Sequence, residues 1–274
     1  MSYGIANVSG QVSRDEAKAI LDLASANGID AIDTAIAYGE SEACLGAAEI
    51  GNFRVVTKLP PVPEHIADIG GWIDHQVEAS LKRLQIDTVY AVILHRSGQF
   101  GDKFVRMSLD RLKERGTVRK IGVSIYSPDE LDAIPVAGAI DIVQAPLNLV
   151  DLRLVTSGWL RRLKDCSIEV HTRSAFLQGL LLMPRMSIPE RFSPWCRTWD
   201  AWNDWLSGKG ISAVQACLGF ALSYPEVDRV VVGVETVSQL SQLISVARSP
   251  LDIDFLDISN TDERLINPSL WSSL

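Results

Sequence analysis

Four side chains of complementary chemistry stand at or just after the ends of successive apolar segments. Asp33 lies near the end of IDAIDTA, Tyr38 follows that segment, Lys58 ends FRVVTK and His95 ends TVYAVILH. A buried ammonium lowers the pKa of a neighbouring phenol, and a carboxylate keeps that ammonium charged and in place. Such a phenol is a general acid for a developing alkoxide, and an imidazole can donate a hydrogen bond that orients a carbonyl group. The four residues therefore predict a catalytic site that delivers a proton.

Each of these residues also has an ordinary structural explanation. An Asp near a strand end is usually a cap or turn residue, and a Lys there is usually solvated. A lone Tyr is usually a packing residue, and a lone His is usually hydrogen-bonded within the structure. The hypothesis of a site depends on all four occurring together on adjacent strand ends.

Alternating strand and helix patterns along the 274 residues predict how the four are positioned. We predict seven short, apolar strands and eight helices, the first of which begins after the N-cap Ser13 and stops at Gly28. Repeated strand–helix units favour a parallel sheet, and eight helices around it favour an α/β fold of the (β/α)₈ TIM-barrel type, in one domain over residues 1–274. The carboxyl ends of the strands would then form one mouth. A Rossmann fold is the alternative, but no GxGxxG motif joins a strand to a helix.

Two parts of the chain depart from a regular barrel. Only MSYGIAN precedes the first helix, so we expect the first strand to be truncated or missing. Residues 183–209 are predicted to be a lid-like insertion, with Trp at 195, 199, 202 and 205 on one helical face. That helix either packs on the barrel or covers its mouth.

Composition narrows the class of partner. The net charge is −8 and no Lys/Arg-rich run stands out, which argues against nucleic acid and anionic membranes. The four Cys show neither CxxC spacing nor metal-site pairing with His, so we expect reduced thiols, no metal and a cytoplasmic location. No apolar run reaches the ~20 residues of a membrane span. The sequence leaves the oligomeric state open.

The segment GIDAIDTAIAYGESEACLG, residues 28–46, resembles the aldo-keto reductase pattern of Gly, Asp-Thr-Ala, Tyr-Gly, Ser-Glu and Leu-Gly. Further segments follow in the family's order: VVTKLP, VILHR, LKERGTVRKIGVS, DIVQAPLN, FLQGLL and VVVGVETVSQL. The resemblance implies a (β/α)₈ barrel that binds NADPH across its mouth. It also implies that Asp33, Tyr38, Lys58 and His95 are the catalytic tetrad, with hydride from the nicotinamide and the proton from Tyr38.

The resemblance implies cofactor-binding residues as well. Ser124 and Gln144 match residues that hold the nicotinamide carboxamide, whereas the family's Asn is Ile125 here. Arg173 stands where the family has a Tyr that stacks on the nicotinamide ring, and a guanidinium can also stack on an aromatic plane.

The adenosine end of the family pattern corresponds to GVETVSQLSQLI. Gly233 and Gln239 match the pattern, while Glu235 replaces a small polar residue and Leu243 replaces an Asn. A carboxylate would repel a 2′-phosphate but could accept a hydrogen bond from a free 2′-hydroxyl. NADPH is the cofactor the family implies, and NADH is the alternative.

These observations predict NAD(P)H-dependent reduction of a small-molecule aldehyde or ketone. One alternative is a cofactor-binding regulatory or inactive reductase-like barrel, suggested by the altered cofactor positions and the short N-terminus. Another is an aldolase that uses Lys58 as a Schiff-base amine.

Overall fold

The computed structural model describes residues 12–249, 251 and 253–273. Within these residues seven parallel strands form one sheet in chain order, as the sequence predicts. The strands are β1 (Ala31–Asp33), β2 (Arg54–Leu59), β3 (Val89–Leu94), β4 (Val118–Ser124), β5 (Ile142–Pro146), β6 (Glu169–Arg173) and β7 (Arg229–Val230). The sheet curls into a barrel with the helices outside, consistent with the (β/α)₈ class. The predicted truncation of the first strand concerns residues 1–11, which lie outside the described residues.

At least one helix separates each pair of consecutive strands, and two α-helices stand between β5 and β6 and between β6 and β7. The α-helices are α1 (Arg14–Ala26), α2 (Ser41–Ala47), α3 (Ile69–Leu84), α4 (Lys103–Glu114), α5 (Val136–Ala139), α6 (Arg153–Thr156), α7 (Trp159–Asp165), α8 (Cys196–Lys209), α9 (Ala213–Leu222), α10 (Val237–Ala247) and α11 (Glu263–Ile266). The first helix begins as predicted, because the Ser13 hydroxyl accepts a hydrogen bond from the Glu16 N–H at 3.2 Å. The segment SPDELDAI forms a short 3₁₀ helix, Pro128–Ala133, which begins directly after the N-cap Ser127.

The core lies between the sheet and the surrounding helices, where β-branched strand residues meet the apolar faces of α3, α4 and α7. At the two ends of the sheet, the side chain of Arg229 at β7 donates to Asp30, which precedes β1, at 2.5 Å. The helices α1 and α10 also lie together, since the Val237 N–H donates to the Glu16 carboxylate at 2.7 Å. These contacts bring the first and last described strands to the same side of the barrel.

The Trp-rich helix α8 packs against its neighbours. Trp199 and Trp202 are both 1% exposed, and their indole N–H groups donate to the Phe192 and Leu181 carbonyls at 2.9 and 3.0 Å. Trp205 stacks on Trp202 with ring centroids 5.6 Å apart. These contacts support the packing interpretation of the helix, and its role as a lid stays a prediction.

Two further expectations concern the state of the cysteines and the absence of a membrane span. All four cysteines are free thiols, and Cys217 is buried. Among the helices that the structure describes, none combines the length and the apolar character that crossing a membrane requires.

Candidate active site

A buried ion pair lies at the carboxyl ends of β1 and β2. Lys58 is 2% exposed, and its ammonium donates to Oδ1 of Asp33 and to the Thr34 carbonyl, the latter at 2.9 Å. The two strands pair in parallel, and the ladder continues past β1 through the Thr34 N–H to the Val56 carbonyl at 2.9 Å. This ladder fixes the register in which the carboxylate reaches the ammonium.

Burial and the Asp33 carboxylate act on the Lys58 ammonium in opposite directions. Burial lowers the pKa of Lys58, because a desolvated ammonium loses its hydration. The Asp33 carboxylate acts in the opposite direction through its charge and its hydrogen bond. Two of the three N–H groups of the ammonium therefore have fixed acceptors, and the orientation of the side chain is set by both.

Tyr38 and His95 lie next to this pair. The Lys58 ammonium is 5.3 Å from the centroid of the Tyr38 ring, and the Tyr38 and His95 ring centroids are 5.7 Å apart in an edge-to-face arrangement. A turn after β1 places Tyr38, whose N–H donates to the Ala35 carbonyl at 3.0 Å. The structure thus brings together all four residues that the sequence singles out.

His95 is held at the end of β3, where its N–H donates to the Leu59 carbonyl at 2.9 Å. Burial and the nearby charges of Lys58, Arg96 and Arg173 lower the pKa of the imidazole to about 4. The ring is therefore neutral near pH 7 and has one N–H donor and one acceptor nitrogen.

Gln144 on β5 also contacts Asp33. Its side-chain amide donates to Oδ2 of Asp33 at 2.6 Å, so each carboxylate oxygen has its own donor. Ser124 pairs directly with Gln144 across β4 and β5, and both side chains are buried. The contact between Gln144 and Asp33 was not predicted from the sequence, because no local pattern indicates it.

Arg173 ends β6 on the same side of the barrel. Its guanidinium lies 4.7 Å from the Tyr126 ring centroid and donates to the Ile125 carbonyl at 2.9 Å and to the Ser174 hydroxyl at 3.2 Å. Burial lowers its pKa below the usual value of an arginine. The residue that the family pattern places beside the nicotinamide thus rests on an aromatic ring of the protein itself.

The three residues at the adenosine end form a separate group at the start of α10. The Glu235 N–H donates to the Gln239 side chain at 2.7 Å, and the Gln239 N–H donates to the Thr236 hydroxyl at 3.1 Å. Gly233 is exposed, and a Cβ built on it would meet no atom within 4 Å. Space on this surface, beside a helix N-terminus that favours anions, suits the approach of a phosphate group.

The residues present therefore fit a nicotinamide cofactor. The hydroxyl of Ser124 and the planar guanidinium of Arg173 lie at the ends of β4 and β6, and the amide of Gln144 lies within β5 between them. Hydroxyl and amide groups are the hydrogen-bonding types that a carboxamide requires.

The active-site strands are supported from outside by Glu42 on α2. Its buried carboxylate accepts from the hydroxyls of Thr57 and Ser80, at 2.7 and 2.6 Å, and from the guanidinium of Arg83 at 2.7 Å. Thr57 precedes Lys58 on β2, so this network ties that strand to α2 and α3.

The fold and the site place the chain among α/β-barrel oxidoreductases, and comparisons with known proteins define the family. The Aldo/keto reductase family model matches residues 1–261. The chain therefore belongs to the aldo/keto reductase family, whose members are NAD(P)H-dependent oxidoreductases.

Relatives of known sequence are moderately similar. L-galactose dehydrogenase of Arabidopsis thaliana is 27% identical over 260 residues, which cover 88% of this chain and 81% of the relative. An aldo-keto reductase of Mycolicibacterium smegmatis is 32% identical over 167 residues, or 55% of this chain and 56% of the relative.

Solved structures share the fold. An aldo-keto reductase from Bacillus halodurans, in its holo form, superposes with a TM-score of 0.73 at 19% identity and covers 98% of this chain and 95% of its own. A putative aldo-keto reductase from Pseudomonas aeruginosa gives a TM-score of 0.67 at 22% identity, with 90% and 85% covered.

Proposed function

We propose that the chain catalyses NAD(P)H-dependent reduction of an aldehyde or ketone to an alcohol. The observation that carries the proposal is the Lys58–Asp33 ion pair, with the Tyr38 ring 5.3 Å from the ammonium and the His95 ring beside it. The bound nicotinamide would supply hydride to the carbonyl carbon.

The protein's own groups would manage the proton. As the carbonyl oxygen gains negative charge, the Tyr38 hydroxyl donates its proton to it, and the Lys58 ammonium stabilises the phenolate that remains. Asp33 and the Thr34 carbonyl hold this ammonium in place. His95, neutral near pH 7, donates one N–H to the same carbonyl oxygen and orients the substrate.

Ser124, Gln144 and Arg173 are the residues we assign to the nicotinamide end, and Gly233, Glu235 and Gln239 those we assign to the adenosine end. The assignment is supported by the positions of Ser124, Gln144 and Arg173 on the neighbouring strands β4, β5 and β6 and by the open surface at the start of α10. We propose NADPH as the cofactor, with NADH as the alternative.

Cofactor titrations followed by Trp fluorescence test this assignment directly. The Glu235 carboxylate would repel a 2′-phosphate, so Glu235→Thr should strengthen NADPH binding relative to NADH. An unchanged ratio of the two dissociation constants would remove Glu235 from the cofactor site.

Replacing Tyr38 tests the reaction itself. Tyr38→Phe removes the proton donor and should abolish carbonyl reduction while cofactor binding is retained. Retained turnover would overturn the proposed role of Tyr38. Binding of cofactor without turnover by the unmodified chain, over a broad panel of aldehydes and ketones, would favour a regulatory role instead.

The geometry gives less support to a Schiff-base role for Lys58. A nucleophilic amine needs a lone pair directed at the substrate. The ammonium of Lys58 is instead engaged with Asp33 and the Thr34 carbonyl. Borohydride trapping with a carbonyl compound should therefore leave the chain unmodified at Lys58.

A further inference from the structure

Two arginines flank one tyrosine ring beside the candidate active site. The guanidinium carbon of Arg96 lies 4.9 Å from the Tyr126 ring centroid, and that of Arg173 lies 4.7 Å from the same centroid. Arg96 directly follows His95 at the end of β3, and Arg173 ends β6. Both arginines are therefore near the imidazole that we place against the substrate carbonyl.

The carboxylates of this region are already engaged with other groups. Asp33 accepts from Lys58 and Gln144, as described above. The buried carboxylate of Asp151 accepts from the guanidinium of Arg153, at 2.9 and 3.0 Å. Asp33 and Asp151 are therefore paired with Lys58 and Arg153, and not with Arg96 or Arg173.

Asp129 and Glu130 follow the end of β4: Asp129 is exposed and acts through its charge on Arg153, and Glu130 is held by hydrogen bonds. Oε1 of Glu130 accepts from the backbone N–H groups of Tyr126 and Ser127, at 2.6 and 2.8 Å, and Oε2 accepts from the Ser97 hydroxyl. It serves as the cap of the 3₁₀ helix after β4. Within residues 12–249, 251 and 253–273, neither Arg96 nor Arg173 forms an ion pair with an acidic side chain.

Two guanidinium groups without carboxylate partners give this side of the mouth an excess of positive charge, although the whole chain carries −8. Arg173 is largely enclosed, while Arg96 is exposed and can reach a ligand that enters from solvent. Guanidinium groups bind carboxylates through two parallel N–H donors, and stacking on a ring fixes the plane in which these donors lie. The arrangement is suited to holding an anion next to the reacting carbonyl.

Resting on the reductase function proposed above, we propose that the substrate is a carbonyl compound that carries a carboxylate, and that Arg96, oriented by Tyr126, binds that carboxylate. Arg173, whose guanidinium lies 4.7 Å from the centroid of the same ring, adds a second positive charge. Arg96 is thus a specificity-determining residue, and the substrate class is that of aldehyde or keto acids.

The test compares aldehydes that differ in one charge. Reduction of 3- and 4-formylbenzoate is measured beside reduction of 3- and 4-formylbenzamide, which have nearly the same shape. We expect kcat/KM to favour a formylbenzoate over its amide by about tenfold, the factor of a charge-assisted hydrogen bond. Arg96→Gln should lower that ratio by about tenfold, and Arg96→Lys should lower it less.

Arg162→Gln is the matched control. Arg162 also stacks on an aromatic ring, that of Trp159 at 4.1 Å, but it lies on the exposed face of α7. The preference for formylbenzoate should be the same in this variant as in the unmodified chain.

A binding measurement separates this inference from the proposed function. Isothermal titration of the full chain with formylbenzoate in the presence of NADP⁺, which cannot reduce it, should show tighter binding than with formylbenzamide. Arg96→Gln should remove the difference. If this binding pattern holds, the carboxylate site stands even where neither aldehyde is reduced, and the reductase function is then decided separately by the broad panel of aldehydes and ketones.

Two results would overturn the carboxylate site. One is equal kcat/KM and equal binding for acid and amide. The other concerns Arg96→Gln: weaker cofactor binding in Trp fluorescence titrations, together with an unchanged ratio of kcat/KM for formylbenzoate and formylbenzamide. Arg96 would then bind a phosphate of the cofactor and not the carboxylate of a substrate.

Discussion

The side-chain amide of Gln144 donates to Oδ2 of Asp33 at 2.6 Å, while Lys58 donates to the other oxygen of the same carboxylate. Asp33 is thereby fixed at two points by strands that are far apart in sequence. A carboxylate held in this way cannot rotate away from the ammonium, so the position of Lys58 relative to Tyr38 depends on Gln144.

Gln144→Leu should therefore slow the reaction even where cofactor binding is saturated. Loss of a hydrogen bond to a charged group costs about 1.5–3 kcal/mol, which corresponds to roughly a 10- to 100-fold lower kcat. Steady-state kinetics at saturating cofactor measure the effect. Gln242→Leu on the exposed face of α10 is the control, and an unchanged kcat for Gln144→Leu would show that Asp33 does not need its second donor.

Variants of the Lys58–Asp33 pair distinguish its contribution to the stability of the fold from its role in the reaction. Lys58→Met leaves the Asp33 carboxylate in a largely buried place without its ammonium, and we expect a loss of about 3–5 kcal/mol in the free energy of unfolding. Adding Asp33→Asn removes that uncompensated charge and should restore part of the loss. Carbonyl reduction should remain absent from both variants.

Urea unfolding of the single and double variants measures this difference. A double variant that is less stable than Lys58→Met would mean that Asp33 stabilises the fold through contacts other than the ion pair.

The lowered pKa of His95 predicts a pH dependence of stability. The unfolded chain takes up a proton on this residue near pH 6.5, whereas the folded chain does so only near pH 4. Stability contributed by neutral His95 is therefore complete above pH 6.5 and declines as the pH falls toward 4. His95→Gln should lack this part of the decline.

Urea unfolding at pH 7.5, 5.5 and 4.5 tests the sign. The unmodified chain should lose more stability over this range than His95→Gln does. Parallel declines would show that the imidazole has an ordinary pKa in the folded state.

The positions of three of the four catalytic candidates were predictable because these residues stand at strand ends, whereas Tyr38 lies in the turn after β1. Short apolar segments that end in Asp33, Lys58 and His95 specify which edge of a parallel sheet these residues occupy. The N-cap at Ser13 was predictable for a similar reason, since it depends on neighbouring residues alone.

Other relationships could not be predicted from the sequence. The contact of Gln144 with Asp33 joins residues 111 positions apart, and it depends on how the sheet curls. The flanking of Tyr126 by two arginines depends on side-chain rotamers at the ends of β3 and β6.

Gly46 on α2 illustrates a position where packing overrides helix propensity. Replacing Gly by Ala inside a helix normally stabilises it by about 1 kcal/mol. A Cβ at position 46 would lie 2.2 Å from the Arg83 carbonyl oxygen, however, so α2 would have to move away from the end of α3. We expect Gly46→Ala to lower the free energy of unfolding by about 1–3 kcal/mol.

Gly51→Ala is the matched control, because a Cβ there would meet no atom within 4 Å. Thermal unfolding of both variants measures the difference in their stability. A Gly46→Ala variant as stable as Gly51→Ala would indicate that α2 and α3 can separate without cost.

The ion pair between Asp30 and Arg229 links the first and last described strands. We therefore expect its loss to affect hydrogen exchange in these two strands more than the stability of the whole fold. The hydrogen bond from Arg229 lowers the pKa of Asp30, against a smaller effect of burial. Its stabilising contribution is present above the ordinary carboxyl pKa of 3.8 and is lost as the pH falls below that value. Because Asp30 is half-exposed, we expect Asp30→Asn to lower the free energy of unfolding by only up to about 1 kcal/mol.

Hydrogen exchange should nevertheless speed up in β1 and β7 of Asp30→Asn, because the ion pair with Arg229 holds the ends of these strands together. Asp22→Asn, which breaks an exposed pair with Lys18 on α1, should leave exchange in both strands unchanged. Equal exchange in Asp30→Asn and the unmodified chain at pH 7 would show that the barrel is held at this side by other contacts, of which the Glu16 bond to the start of α10 is the first to test.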